Sequence, residues 1–101
     1  MRKLWDDDAW KEYLLWQIKD KKTSKRINQL LKDIDRNGYH CIGKPEPLSG
    51  NLAGYWSVRI DAKNRLVFRI NEGNLEIIQC GTHYIENYRK GDLYERKNFC
   101  R

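Results

Sequence analysis

A chain of 101 residues that is 40% hydrophobic and 12% aromatic, with four Trp and six Tyr, can bury one core. This composition excludes general disorder and leaves no room for a second sizeable domain. Twenty Lys and Arg against fourteen Asp and Glu leave a net charge of +6, which favours a polyanionic partner, RNA being the obvious candidate.

Cys41, Cys80 and Cys100 form no CxxC pair and have no histidines at zinc spacing. They read as reduced thiols of a cytoplasmic protein, with no disulfide framework. Met1-Arg2-Lys3-Leu4-Trp5 runs straight into three aspartates, so no secretory signal is expected. No segment approaches membrane-spanning length, and no membrane partner is expected.

Residues 3–5 suit a short edge strand. The acidic run at 6–8 offers an N-cap and favourable charges for a first helix ending near Lys19. Trp10, Tyr13, Leu14 and Ile18 recur on it at helical spacing and are expected in the core. Asp20 can cap a second helix in which Ile27, Leu30, Leu31 and Ile34 form the apolar stripe and Asn37-Gly38 is the stop. Lys21, Lys22, Lys25 and Arg26 read as a solvated face.

The next stretch, Gly43-Lys44-Pro45-Glu46-Pro47-Leu48, is stiff and extended, because two prolines fix φ and restrict the residues before them. From Tyr55 the period becomes two. Trp56, Val58 and Ile60 alternate with Tyr55, Ser57 and Arg59, and Leu66, Phe68 and Ile70 alternate with Arg65, Val67 and Arg69. This predicts a hairpin with one apolar face and an odd-numbered loop, for example 62–64 with Asn64 left-handed. Arg59 and Arg65 then sit side by side on the other face, where they repel unless an anion is bound. A turn at Asn71-Glu72-Gly73-Asn74 leads to a last strand running from Leu75 towards Tyr84. Strict alternation puts His83 on the core face, and a bulge near Gly81 would bring it to the arginines.

Glu46, Arg65 with Arg59 beside it, His83 and Tyr84 together have the chemistry to cut RNA without a metal. A carboxylate takes a proton, an imidazole gives one, and guanidinium groups hold a phosphate as its charge grows. Taken singly, Glu46 is most simply a solvated turn carboxylate and His83 a structural histidine. No ligand cluster is present, so neither metal nor other cofactor is expected.

These blocks resemble the YoeB (Txe) family of toxins from bacterial toxin-antitoxin modules, within the RelE-like superfamily. The resemblance covers residues 1–84. It rests on Lys25-Arg26-Ile27-Asn28-Gln29-Leu30-Leu31-Lys32-Asp33, on the Gly43 to Leu48 block, and on Asn51-Leu52-Ala53-Gly54-Tyr55-Trp56-Ser57-Val58-Arg59-Ile60. Asn64-Arg65-Leu66-Val67-Phe68 and the closing His83-Tyr84 complete it. It implies an α+β fold of the RelE-like, microbial-ribonuclease type, with two N-terminal helices on one face of a small, twisted, mainly antiparallel sheet. It further implies a ribosome-dependent endonuclease of messenger RNA, working in the decoding site of the 70S ribosome and neutralised by an antitoxin of the YefM/Phd type. On this resemblance Glu46 corresponds to the general base and His83 to the general acid. Arg65 and Arg59 hold the scissile phosphate, Lys44 adds an RNA contact, and Tyr84 completes the site. It also implies a homodimer that meets operator DNA only together with its antitoxin.

Two departures stand out. Ser49 occupies a place where many relatives have a basic residue, and residues 85–101 extend past the tyrosine at which relatives usually end. A toxin domain at 1–84 with an extension of unassigned role is therefore expected. A rival reading keeps the basic face without the chemistry: a non-catalytic RNA- or ribosome-binding module, or a corepressor that depends on an antitoxin.

Overall fold

The computed structural model describes residues 1–82. His83, Tyr84, Cys100 and the 85–101 extension lie outside the described residues, as does any strand continuing to Tyr84. The elements are β1 (Arg2–Trp5), α1 (Asp7–Lys19), α2 (Lys21–Asn37), β2 (Glu46–Pro47), β3 (Trp56–Arg59), β4 (Arg65–Asn71) and β5 (Asn74–Gly81). They build the expected α+β architecture, a five-stranded sheet in the order β1-β5-β4-β3-β2. The edge strand β1 runs parallel to β5, and the other pairings are antiparallel.

Local chemistry explains the element ends. Asp20 caps α2, its Oδ1 accepting from the backbone N–H groups of Lys22 and Thr23 at 3.1 and 3.2 Å and its Oδ2 from the Thr23 hydroxyl at 2.7 Å. The bond from the Thr23 hydroxyl contributes most to holding this carboxyl below its usual pKa. At the other end Gly38 takes φ +59° with ψ −131° and donates its N–H to Ile34 O, a positive-φ stop that glycine adopts without a Cβ penalty. The β4–β5 turn has positive φ at both central residues, Glu72 and Gly73, which matches the right-handed twist of the strands it joins.

Ile27, Leu30 and Ile34 of α2 pack on Val58, Leu66, Phe68, Leu75 and Ile77, all with no exposed surface. Phe68 is the largest fully buried side chain, so Phe68→Ala is expected to lower unfolding free energy by about 3–5 kcal/mol in a denaturant titration. A loss below about 1 kcal/mol would place the centre of the core elsewhere.

Four expectations are corrected. First, of the apolar stripe assigned to α1 only Tyr13 packs on the core, since Trp10, Leu14 and Ile18 are 43%, 43% and 80% exposed. Alongside Tyr13 the helix buries Ala9 and packs Trp16 against the core, neither of them in the expected stripe. Second, the hairpin has apolar groups on both faces: Val67 and Ile78 form a second small cluster with Leu52, capped by Leu48 and Tyr55.

Third, Asn64 is not left-handed, because positive φ among non-glycine residues occurs only at Lys44 and Glu72 of the described chain. The Asp61 carboxylate organises the loop, accepting from the backbone N–H groups of Lys63 and Asn64 at 2.8 and 2.7 Å, while Ile60 N–H bonds Asn64 O. Burial, the largest influence on Asp61, raises its pKa, but these bonds together with those from the Asn64 amide outweigh it. Fourth, Arg26 is not simply solvated, since its guanidinium donates to Arg59 O at 3.2 Å.

Candidate active site

The site begins with a chain reversal. Gly43 and Lys44 both take positive φ, +91° and +54°, turning the chain so that Glu46-Pro47 runs antiparallel to β3. A Cβ at Gly43 would meet Leu30 at 2.9 Å and Val58 at 3.1 Å, so only glycine allows the approach. Its carbonyl accepts from Arg59 N–H at 2.8 Å. With Arg26 holding the Arg59 carbonyl, the arginine backbone is fixed from two sides. Sequence reasoning missed Gly43 and Arg26, because neither shows its tertiary partner in local pattern.

Glu46 pairs with Ser57, and Arg59 pairs directly with Arg65 across the β3–β4 ladder. Val58 and Leu66 point to the helix-side core, so by alternation Ser57, Arg59 and Arg65 occupy the opposite face. The side chain of Glu46 is 60% exposed and that of Arg65 26%, with Arg65 Nη1 4.0 Å from Glu46 Oε1. This distance gives an ion pair without a hydrogen bond. Arg65 Nη1 is buried and has no hydrogen-bond partner. A buried charged donor left open, beside a second guanidinium that repels it, has the chemistry to take an anion. Lys44 is exposed two residues before Glu46.

The bulge expected near Gly81 lies earlier. Val67 pairs with Gln79 and Phe68 with Ile77, leaving Ile78 as the extra residue. Between Ile77 and Cys80, both in the helix-side core, two residues face away from the helices. Gly81 then pairs with Arg65. The assignments to His83 and Tyr84 fall outside the described residues, so the geometry covers Glu46, Arg59, Arg65 and Lys44 only. Among the described residues no cluster of three or more His, Cys, Asp and Glu is placed to hold a metal ion. Cys41 and Cys80 are free and buried, and burial raises both thiols, that of Cys80 far above its usual range. No described helix is long and apolar enough to cross a membrane.

Known proteins share both sequence and geometry with this chain. The family model of YoeB-like toxins of bacterial type II toxin-antitoxin systems matches residues 5–84. Toxin YoeB of Escherichia coli (strain K12) is 44% identical over 84 residues, covering 83% of this chain and 100% of that one. In the YoeB-YefM complex from Staphylococcus aureus, the similar chain is 42% identical with a TM-score of 0.78, over 83% of this chain and 98% of that one. A YoeB dimer from the same organism gives 44% identity and a TM-score of 0.77 over the same shares.

Proposed function

Because the chain belongs to the YoeB-like toxins of bacterial type II toxin-antitoxin systems, we propose that it is an endoribonuclease that cuts messenger RNA on the 70S ribosome and so stops translation. The observation that carries this reading is the open, buried Nη1 of Arg65, held across the ladder from Arg59 and 4.0 Å from the Glu46 carboxylate. A scissile phosphate would supply the missing acceptor and offset the repulsion between the guanidinium groups.

In this mechanism Glu46 removes the proton of the ribose 2′-hydroxyl, and that oxygen attacks the adjacent phosphorus in line. Arg65 and Arg59 bind the equatorial oxygens as negative charge grows. His83 protonates the departing 5′-oxygen, Tyr84 completes the pocket, and Lys44 contacts the RNA backbone. The Ile78 bulge supports the role of His83, since it returns Gly81 to the Arg65 rung two positions before the histidine. The products are a 2′,3′-cyclic phosphate and a 5′-hydroxyl end, and no step calls on a metal.

The partners that go with this reading are an antitoxin of the YefM/Phd type, a second copy of the chain, and operator DNA only when the antitoxin is bound. The YoeB-YefM complex and the YoeB dimer of the S. aureus relatives support the first two. The protein acts in the cytoplasm, where its ribosomal target lies, and residues 85–101 extend a toxin domain that closes at Tyr84.

Brief induction in a bacterium followed by mapping of messenger 5′ ends tests the proposal. New ends confined to translated regions, bearing 5′-hydroxyl groups, are expected together with growth arrest. Intact messengers with normal growth would overturn it in favour of a binding module.

A further inference from the structure

The end of β5 is held in an unusual way. Its inner edge pairs with β4 as far as Gly81, but on its outer edge β1 reaches only to Ile77. Asp6 N–H bonds Ile77 O, and beyond that point no strand among the described residues serves the outward backbone groups. Two side chains of α1 take the place of one. Glu12 Oε1 accepts from Cys80 N–H at 3.0 Å, and Trp16 Nε1–H donates to Cys80 O at 2.8 Å. The peptide groups on both sides of the Cys80 Cα are thus gripped from one helix, by residues four apart and so on one face. The Glu12 carboxylate also lies against Gly81, where a Cβ would displace it.

A third side chain acts from the opposite face. Gln79 has no exposed surface, and its Nε2 donates to Gly81 O at 2.5 Å and reaches Arg65 O at 3.5 Å, bridging the two residues of the last β4–β5 rung. Its Oε1 is buried without a partner, a cost of about 1–3 kcal/mol that an apolar side chain of similar shape would not carry. What the amide gains on the rung that bears Arg65 is the bridge itself, which ties Gly81 O to the end of β4.

We propose that Glu12, Trp16 and Gln79 are positioning residues that brace the end of β5 and so set the place of His83 relative to Arg65. The inference rests on the reading of His83 as the general acid. None of the three needs to touch RNA. They act because the chain between the braced Gly81 and the histidine is a single residue, Thr82, and because a displacement of about 1 Å in a reacting group can cost about 100-fold in rate.

The test measures kcat, KM for programmed ribosomes, and melting temperature for the full chain and for Trp16→Phe, Gln79→Met, Glu12→Ala, Glu12→Gln and His83→Gln. Trp16→Phe keeps an aromatic ring, though a smaller one, and loses the donor, and Gln79→Met keeps the volume and loses both bonds. Each is expected to lower kcat about 10- to 100-fold with KM unchanged and melting preserved. Glu12→Ala should fall likewise, while Glu12→Gln, which retains an acceptor oxygen, should return towards the parent. Parental kcat in the brace variants, or losses that merely follow the folded fraction, would overturn the brace while an inactive His83→Gln leaves the general acid standing. Parental cleavage by His83→Gln would overturn both.

Discussion

Glu46→Gln is expected to reduce cleavage of messenger RNA on programmed ribosomes about 100- to 10,000-fold without lowering the melting temperature. The amide has nearly the shape of the carboxylate but cannot accept the 2′-hydroxyl proton, so the rate falls by what general base catalysis contributes. Stability should hold because the Glu46 side chain is 60% exposed and Arg65 Nη1 stands 4.0 Å away, beyond hydrogen-bond distance, so the pair contributes little to folding. His83→Gln should show a loss of the same order if the imidazole delivers the second proton. The two substitutions remove opposite ends of one proton inventory, so the double variant should be little worse than either single one. A Glu46→Gln protein that cuts at the parental rate would assign the base elsewhere.

Much of this arrangement is legible in local sequence, and the exceptions have a common cause. Asp20, Asn37-Gly38 and Asn71-Glu72-Gly73-Asn74 announce their caps and turn because the chemistry that satisfies the backbone there lies within a few residues. The β3 and β4 alternations likewise placed Arg59 opposite Arg65, as the pairing shows. Helix α1 misled because its apolar residues surround the axis. Trp10, Leu14 and Ile18 have the spacing of a buried stripe, yet the sheet meets Ala9, Tyr13 and Trp16 instead. Spacing identifies a face but cannot say which of two apolar faces meets the sheet.

The bulge was misplaced for a related reason. Gly81 looks like the irregular residue, but the extra one is Ile78, an apolar residue that passes from one core to the other cluster without a compositional mark. Glu12 and Gln79 were unreadable as well. Their partners are backbone groups that only the tertiary pairing leaves available: the Cys80 N–H because β1 stops at Ile77, and the Arg65 and Gly81 carbonyls because they lie on the last β4–β5 rung.

Arg65→Ala should lose more activity than Arg59→Ala, and the difference in burial says why. Arg59 is exposed, so its charge is screened and water can take over part of its role at the phosphate. Arg65 brings one donor already withdrawn from water, its Nη1 buried without a hydrogen-bond partner, so that donor is desolvated before the substrate arrives. Removing a preorganised donor of this kind is expected to cost about 100- to 1,000-fold in kcat. The loss at Arg59 should be smaller and should shrink further at high ionic strength. Arg65→Lys should recover only part of the activity, because a single ammonium cannot reproduce the planar fork that grips two phosphate oxygens. Taking kcat for the three variants at low and at high salt separates these effects. Equal losses at Arg59 and Arg65, with the same salt dependence, would show that the two act only as diffuse positive charge and that the open Nη1 is not the phosphate receptor.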